Sequence, residues 1–162
     1  MVLYVTEGII AYILADLLTG IYHWATDRGW NIASQVRIFH QHHEPLATMV
    51  LDLRPALLGL PLLLLALYYD STFLFVLGLS ITFSQFAHYF AHGSDKRFIR
   101  LLQRCWLILP PEHHQRHHAA EFGKNYCTLS GWNNWWLNYI FKASPMARAN
   151  SKNQITKPEN TD

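Results

Sequence analysis

"PALLGLPLLLLALYYDSTFLFVLGLSITFSQFAHYFAH", residues 55–92, is the stretch on which the fold turns. Across residues 55–94 the single formal charge is Asp70. The apolar run breaks at YYDST, which divides it into a helix over about 55–69 and another over about 72–88. A helix rises about 1.5 Å per residue and a hydrocarbon core is about 30 Å thick, so the first of these is short for a full crossing. It is expected to begin earlier, to tilt, or to sit deep without crossing. Residues 2–22, "VLYVTEGIIAYILADLLTGIY", supply another span, interrupted only by Glu7 and Asp16. Two buried helices of a water-soluble core can be equally apolar, so the charges elsewhere must be weighed.

The chain has 162 residues, enough for one domain and too few for a second core. Its charges are segregated. Of thirteen Lys and Arg residues, Arg28, Arg37 and Arg54 precede the long apolar run and the other ten follow residue 95. With three spans, segments 23–54 and 89–162 fall on one side, and all thirteen cations lie there. The positive-inside rule makes that side cytoplasmic. The expectation is therefore an all-α, multi-pass membrane protein with about three membrane helices and a cytoplasmic histidine-rich helical cap. Residues 1–142 form the membrane domain, and 143–162 form a small, polar tail expected to be disordered. A cleavable signal peptide is not expected, because the first residues carry Glu7 and no basic stretch. A net charge of +2 gives no footprint for nucleic acid. Cys105 and Cys127 form no CxxC pair, which argues against a disulfide framework or a zinc ribbon.

The ten histidines all fall within, or at the border of, the same predicted side. They form four groups: His23; His40, His42 and His43; His88 and His92; and His113, His114, His117 and His118. His88 and His92 are four apart, so a helix projects both from one face. His114, His117 and His118 share a face in the same way, and His113 does not. Imidazole suits iron, zinc, copper and nickel. The HExxH pattern of zinc proteases and the Glu-x-x-His pairs of soluble di-iron bundles are both missing. Taken singly, each group has an ordinary reading: an interfacial polar residue, a haem clamp, a polar loop. Their joint placement on one side supplies about eight nitrogen donors, enough for two irons. Asp16, Gly20, His23 and Asp27 recur on one stripe of the first helix. Asp16 or Asp27 is placed to accept the second N–H of a metal-bound imidazole, and Asp27 reads equally as a solvated turn residue. Gly20 reads best as a close-packing site.

Five stretches, "ADLLTGIYHWATD", "FHQHHEP", "SQFAHYFAH", "LLQRCWLILPPEHHQRHH" and "NYCTLSGWNN", occur in the order seen in the plasmanylethanolamine desaturase family. This is the Kua-like lipid desaturase domain, and it also includes the plant desaturase acting on phosphatidylglycerol acyl chains. The resemblance spans about residues 16–141. It implies an integral membrane di-iron enzyme that uses O2 to place a double bond in a lipid alkyl or acyl chain. The family's histidines correspond to His23, His42, His43, His88, His92, His114, His117 and His118, and its HWxxD acidic residue, assigned a catalytic role, to Asp27. Members often carry arginine where this chain has His40, an additional metal-ligand candidate, and histidine where it has Trp106.

That chemistry needs two electrons beyond the two taken from the substrate. No GxGxxG fingerprint or iron–sulfur cysteine set is evident, so no flavin or haem is expected. An external donor such as a cytochrome b5 or ferredoxin system is. The membrane is expected to be a bacterial inner membrane or an ER or plastid membrane. "GWNNWWLNYIF" reads as an interfacial helix, with Tyr126 and Asn133 as candidate lipid-headgroup contacts. A histidine-rich lipid hydroxylase, a haem-binding electron carrier and a metal transporter remain competing readings at this level.

Overall fold

A computed structural model of the chain describes residues 2–27, 55–119 and 123–141. Among these residues all regular structure is helical. Six α-helices follow in order: α1 (Val2–Asp27), α2 (Leu60–Tyr69), α3 (Thr72–Ala91), α4 (Arg97–Arg104), α5 (Pro111–Ala119) and α6 (Asn134–Ile140). A short 3-10 turn, Pro55–Gly59, leads into α2. His40, His42 and His43, the three cations Arg28, Arg37 and Arg54, and the 143–162 tail lie outside the described residues.

The break at YYDST forms as its residue types require. Asp70 takes a left-handed conformation (φ 50°) and ends α2, a position where Asp is better tolerated than most side chains. Ser71 then caps α3, its Oγ accepting from the N–H of Leu74 at 3.3 Å. The two helices therefore fold back on each other across a single tight turn. Gly59 and Gly78 make this possible: a Cβ on Gly59 would lie 2.2 Å from the Gly78 carbonyl. Thr82 Oγ1 fastens the contact by donating to the Ala56 carbonyl at 3.0 Å.

Helices α1 and α3 form the main packed pair, and their distribution of side chains is inverted relative to a water-soluble bundle. Ala11, Ala15, Thr19 and Gly20 of α1 face inward, while Val2, Leu3, Val5, Ile9, Ile10 and Leu18 face out. On α3, Gly78, Ser80, Ser84, Ala87 and Ala91 are buried, whereas Phe75 and Leu79 are exposed. Small residues inside and large aliphatics outside are what a lipid environment favours, because lipid solvates the large side chains and close backbone approach gains dispersion. Both helices have the length and apolar composition to cross a membrane, with 26 and 20 residues. Only 22% of the apolar window of α1 and 33% of that of α3 is buried, unlike the core helix of a soluble domain. The third expected span, over about 55–69, is the 3-10 turn followed by α2, a shorter apolar stretch packed along α3.

Beyond α3 the described residues form three shorter helices. Helix α4 buries Ile99 and Gln103 and displays Arg97, Arg100 and Arg104. Gln103 Nε2 donates to the carbonyls of Phe90 and Leu109, which ties the end of α3 to the segment preceding α5. Helix α4 stops at Arg104, Trp106 turns the intervening chain with a φ of 56°, and Pro111 opens α5. Helix α6 lays Leu137 against Gly20, where a Cβ would come 2.6 Å from Leu137 Cδ1 and 2.9 Å from Cys127 Sγ. Gly20 is thus the close-packing position its stripe suggested. Trp135, Trp136 and Tyr139 remain exposed, with the two indoles stacked at 4.2 Å, as befits an amphipathic boundary.

Candidate metal centre

Helix periodicity and one tertiary contact assemble the site. His88 and His92 project from the last turns of α3 on one face. Pro111 and Glu112 suit the first turn of α5, proline by its preset φ and glutamate by its charge at the positive end of the helix dipole. From that start, His114, His117 and His118 come round to the face packed against α3. His113 points away, its ring lying 5.2 Å from that of Trp106.

Four imidazoles meet at His114. Its Nε2 lies 3.2 Å from His88 Nε2, 2.8 Å from His92 Nε2 and 2.9 Å from His118 Nε2. A ring nitrogen has one proton to give or one lone pair to share, so His114 Nε2 cannot satisfy three such contacts by hydrogen bonding alone. Three imidazole nitrogens within 3.2 Å of a fourth are a donor set that a cation would satisfy.

A second group adjoins the first. His23 Nε2 lies 3.6 Å from Asp27 Oδ1, and His117 Nε2 lies 3.4 Å from Asp27 Oδ2, all three side chains being nearly inaccessible. The other nitrogens of both rings are committed: His23 Nδ1 donates to the Tyr126 carbonyl at 2.9 Å, and His117 Nδ1 to the Lys124 carbonyl at 2.7 Å. A carbonyl only accepts, so each ring carries a proton on Nδ1 and turns Nε2 toward the Asp27 carboxylate. Two imidazole nitrogens flanking a carboxylate form a donor set for a cation. The two groups are neighbours, with ring centroids 5.3 Å apart for His23 and His88 and 5.8 Å for His114 and His117. The donor chemistry fits a metal ion in each group.

Burial disfavours the charged form of two of these rings, His117 and His114. It pushes His117 down to about 3, with the neighbouring His23 adding to the effect and Asp27 opposing it. His114 is held well below its ordinary value by burial first and by His92, His118, His117 and His23 after that. The unfolded chain protonates His117 near pH 6.5 and the folded chain only near pH 3, so between those values the unfolded state binds more protons. Metal-free protein is therefore expected to lose stability progressively as pH falls from about 6.5 toward 3. Thermal unfolding in detergent across that range checks it; a melting temperature that stays level or rises on acidification contradicts the neutral assignment.

The family model of the lipid desaturase domain matches residues 12–146, a span that contains both histidine groups. The chain belongs to the lipid desaturase domain family. Fatty acid desaturase 4, chloroplastic, of Arabidopsis thaliana is 32% identical over 147 residues, covering 78% of this chain and 46% of the plant protein. The plasmanylethanolamine desaturase of Myxococcus xanthus is 28% identical, over 78% of this chain and 53% of that one. Plasmanylethanolamine desaturase 1 of Mus musculus is 28% identical, over 82% of this chain and 60% of that one. This lipid desaturase domain thus spans about half the length of the curated relatives it matches. No solved structure matches it.

Several predicted site residues take other places than expected. Asp16 does not reach an imidazole: its Oδ1 accepts from the N–H groups of Ser130 and Gly131 at 2.8 and 3.1 Å. Its Oδ2 accepts from the backbone and side-chain N–H of Asn133 at 3.0 and 3.1 Å. It is a clamp between α1 and the turn before α6. Asn133 is buried in that clamp and Tyr126 lies under the histidines, at 7% and 1% exposure. Asp27, expected in a catalytic role, lies between His23 and His117. The Trp106 carbonyl accepts from Trp132 Nε1 at 2.8 Å. The carbonyls of Lys124 and Tyr126 had no signal in the sequence, since every residue type carries that group.

Proposed function

We propose that this chain is an O2-dependent membrane lipid desaturase that introduces a double bond into a lipid alkyl or acyl chain at a histidine-ligated di-iron centre. The convergence of three Nε2 atoms on that of His114, beside the His23–Asp27–His117 group, carries the reading. His88, His92, His114 and His118 would hold one iron, and His23, Asp27 and His117 the other, with His42 and His43 completing the set. Bound iron supplies the O2-activating redox chemistry needed to break an unactivated C–H bond.

The protein's own contributions are position, a fixed proton inventory and dryness. The carbonyls of Lys124 and Tyr126 hold two imidazoles in the ligating tautomer. A groove of about 120 Å³ runs between α1, α3 and the 3-10 turn, lined by Leu18, Thr19, Tyr22, Leu58, Ile81, Ser84 and Gln85. Thr19 and Ser84 donate their hydroxyls to the carbonyls of Asp16 and Ile81, so the polar atoms of both are turned into their own helices. Thr19 and Ser84 each lie one helical turn before a site histidine, His23 and His88, which supports the groove as the seat of the hydrocarbon chain. Removing two hydrogens from adjacent carbons yields two electrons, and O2 requires four to become two waters. The other two come from an external donor such as a cytochrome b5 or ferredoxin system. The cations of α4 and the charge distribution of the sequence favour a site on the cytoplasmic face of an integral, multi-pass protein.

Lipid profiles of a host expressing the chain, compared with the same host expressing His114→Ala, test the proposal. A lipid species lighter by two hydrogens, present only with the native chain, is expected. A species heavier by one oxygen instead would establish a hydroxylase, and no new species would refute the reading.

A further inference from the structure

The 124–127 segment contains neither helix nor strand, yet two of its peptide groups are hydrogen-bonded on both edges. The peptide joining Lys124 to Asn125 accepts from His117 Nδ1 at 2.7 Å and donates its N–H to Asn138 Oδ1 at 2.7 Å. The peptide joining Tyr126 to Cys127 accepts from His23 Nδ1 at 2.9 Å and donates its N–H to Asn134 Oδ1 at 2.8 Å. A trans peptide directs its C=O and N–H oppositely, so the imidazoles lie on one side of the segment and the asparagines on the other. Asn134 and Asn138 are four apart on α6 and share a helical face. We propose that Asn134 and Asn138 are positioning residues for the metal centre, each locking one peptide plane and through it one imidazole: Asn134 for His23 and Asn138 for His117.

The need for such a lock is physical. A peptide outside regular structure is free to rotate unless something engages its N–H, and rotation by a few tens of degrees would swing the carbonyl off the imidazole. Asn125 sits between the two peptides at a φ of 62°, a conformation costly for most side chains and better tolerated by asparagine. Asn138 Nδ2 also donates to Asn125 Oδ1 at 3.0 Å, so one side chain secures both the strained residue and its N–H. In a site shielded from water, consecutive hydrogen bonds polarise one another, which makes the far nitrogen of the imidazole a better donor to a cation. Helix α6 is itself anchored by the Asp16 clamp immediately before it. Both relays serve the His23–Asp27–His117 group. Among the described residues the His88–His92–His114–His118 group is built from helices α3 and α5, so a fault in either relay should affect one metal ion and spare the other.

This inference rests on the metal-site reading of the proposed function. Metal-free protein in detergent, titrated anaerobically with Fe(II) and followed by metal content and by the electronic spectrum of a parallel Co(II) titration, is expected to show two binding events. Asn134→Leu and Asn138→Leu should each weaken one event by about 10- to 100-fold and leave the other unchanged, the size typical of groups that orient metal ligands. Asn134→Asp keeps the accepting oxygen and should restore near-native affinity. Trp135→Ala, on the exposed face of α6, should change neither event. Equal weakening of both events, or none, in the leucine variants overturns the asparagine roles. Wild-type protein that binds no metal overturns the metal reading instead, and this inference with it. If the leucine variants fail to fold, ¹⁵N spectra of the native imidazoles decide: His23 and His117 must both be Nδ1–H tautomers, and an Nε2–H form in either refutes the proposal.

Discussion

His114→Ala is expected to abolish lipid desaturation, a loss of more than about a hundred-fold, while the protein still inserts and folds. Groups that merely orient metal ligands are worth about 10- to 100-fold, and His114 is proposed as a ligand itself. It is also the hub of its group, since its Nε2 is the common partner of His88, His92 and His118. Without it those three rings have no shared focus, and metal content should fall with activity. Alanine is the best helix former, and α5 is short and outside the apolar spans, so the fold should survive. Metal analysis and lipid mass spectrometry of the purified variant check both halves. Retained turnover with native metal content would remove His114 from the centre.

Asp16→Leu is expected to act on stability rather than on chemistry alone. The carboxylate accepts from three backbone N–H groups, of Ser130, Gly131 and Asn133, all buried. A buried donor left without a partner costs about 1–3 kcal/mol, so the three together cost on the order of 3–9 kcal/mol before relaxation. That is comparable to the whole stability of many domains. Leucine is chosen because it suits the membrane better than aspartate does; a destabilisation therefore measures the lost clamp and not a worse helix. A large fall in melting temperature in detergent is expected, with α6 and the 123–133 segment becoming protease-sensitive first. An unchanged melting temperature would show that the turn holds itself.

Local periodicity carried much of the reading. The HxxxH of α3 and the HxxHH of α5 are one-face patterns wherever a helix forms, because 3.6 residues per turn leaves no choice. The break at Asp70 and Ser71 was equally visible, since one residue is tolerated in the left-handed region and the other is a strong helix cap. The apolar spans followed from charge segregation, and the inverted burial of α1 and α3 agrees with it.

The stripe Asp16–Gly20–His23–Asp27 shows where such reasoning stops. Helical spacing places all four on one face, but it says nothing about what stands opposite each. The structure sets the 130–133 turn against Asp16, Leu137 and Cys127 against Gly20, and His117 against Asp27. One stripe thus becomes a clamp, a close contact and a donor set. The sequence by itself determined the helices, their apolar faces, the histidine pairs and the family. Only the tertiary structure decided which histidines share a group, that Asp27 stands between two of them, and that Asp16 holds a turn. The cause is that side-chain direction along a helix is a local property, whereas partners contributed by a segment more than a hundred residues away, most of all backbone carbonyls, leave no mark in residue type.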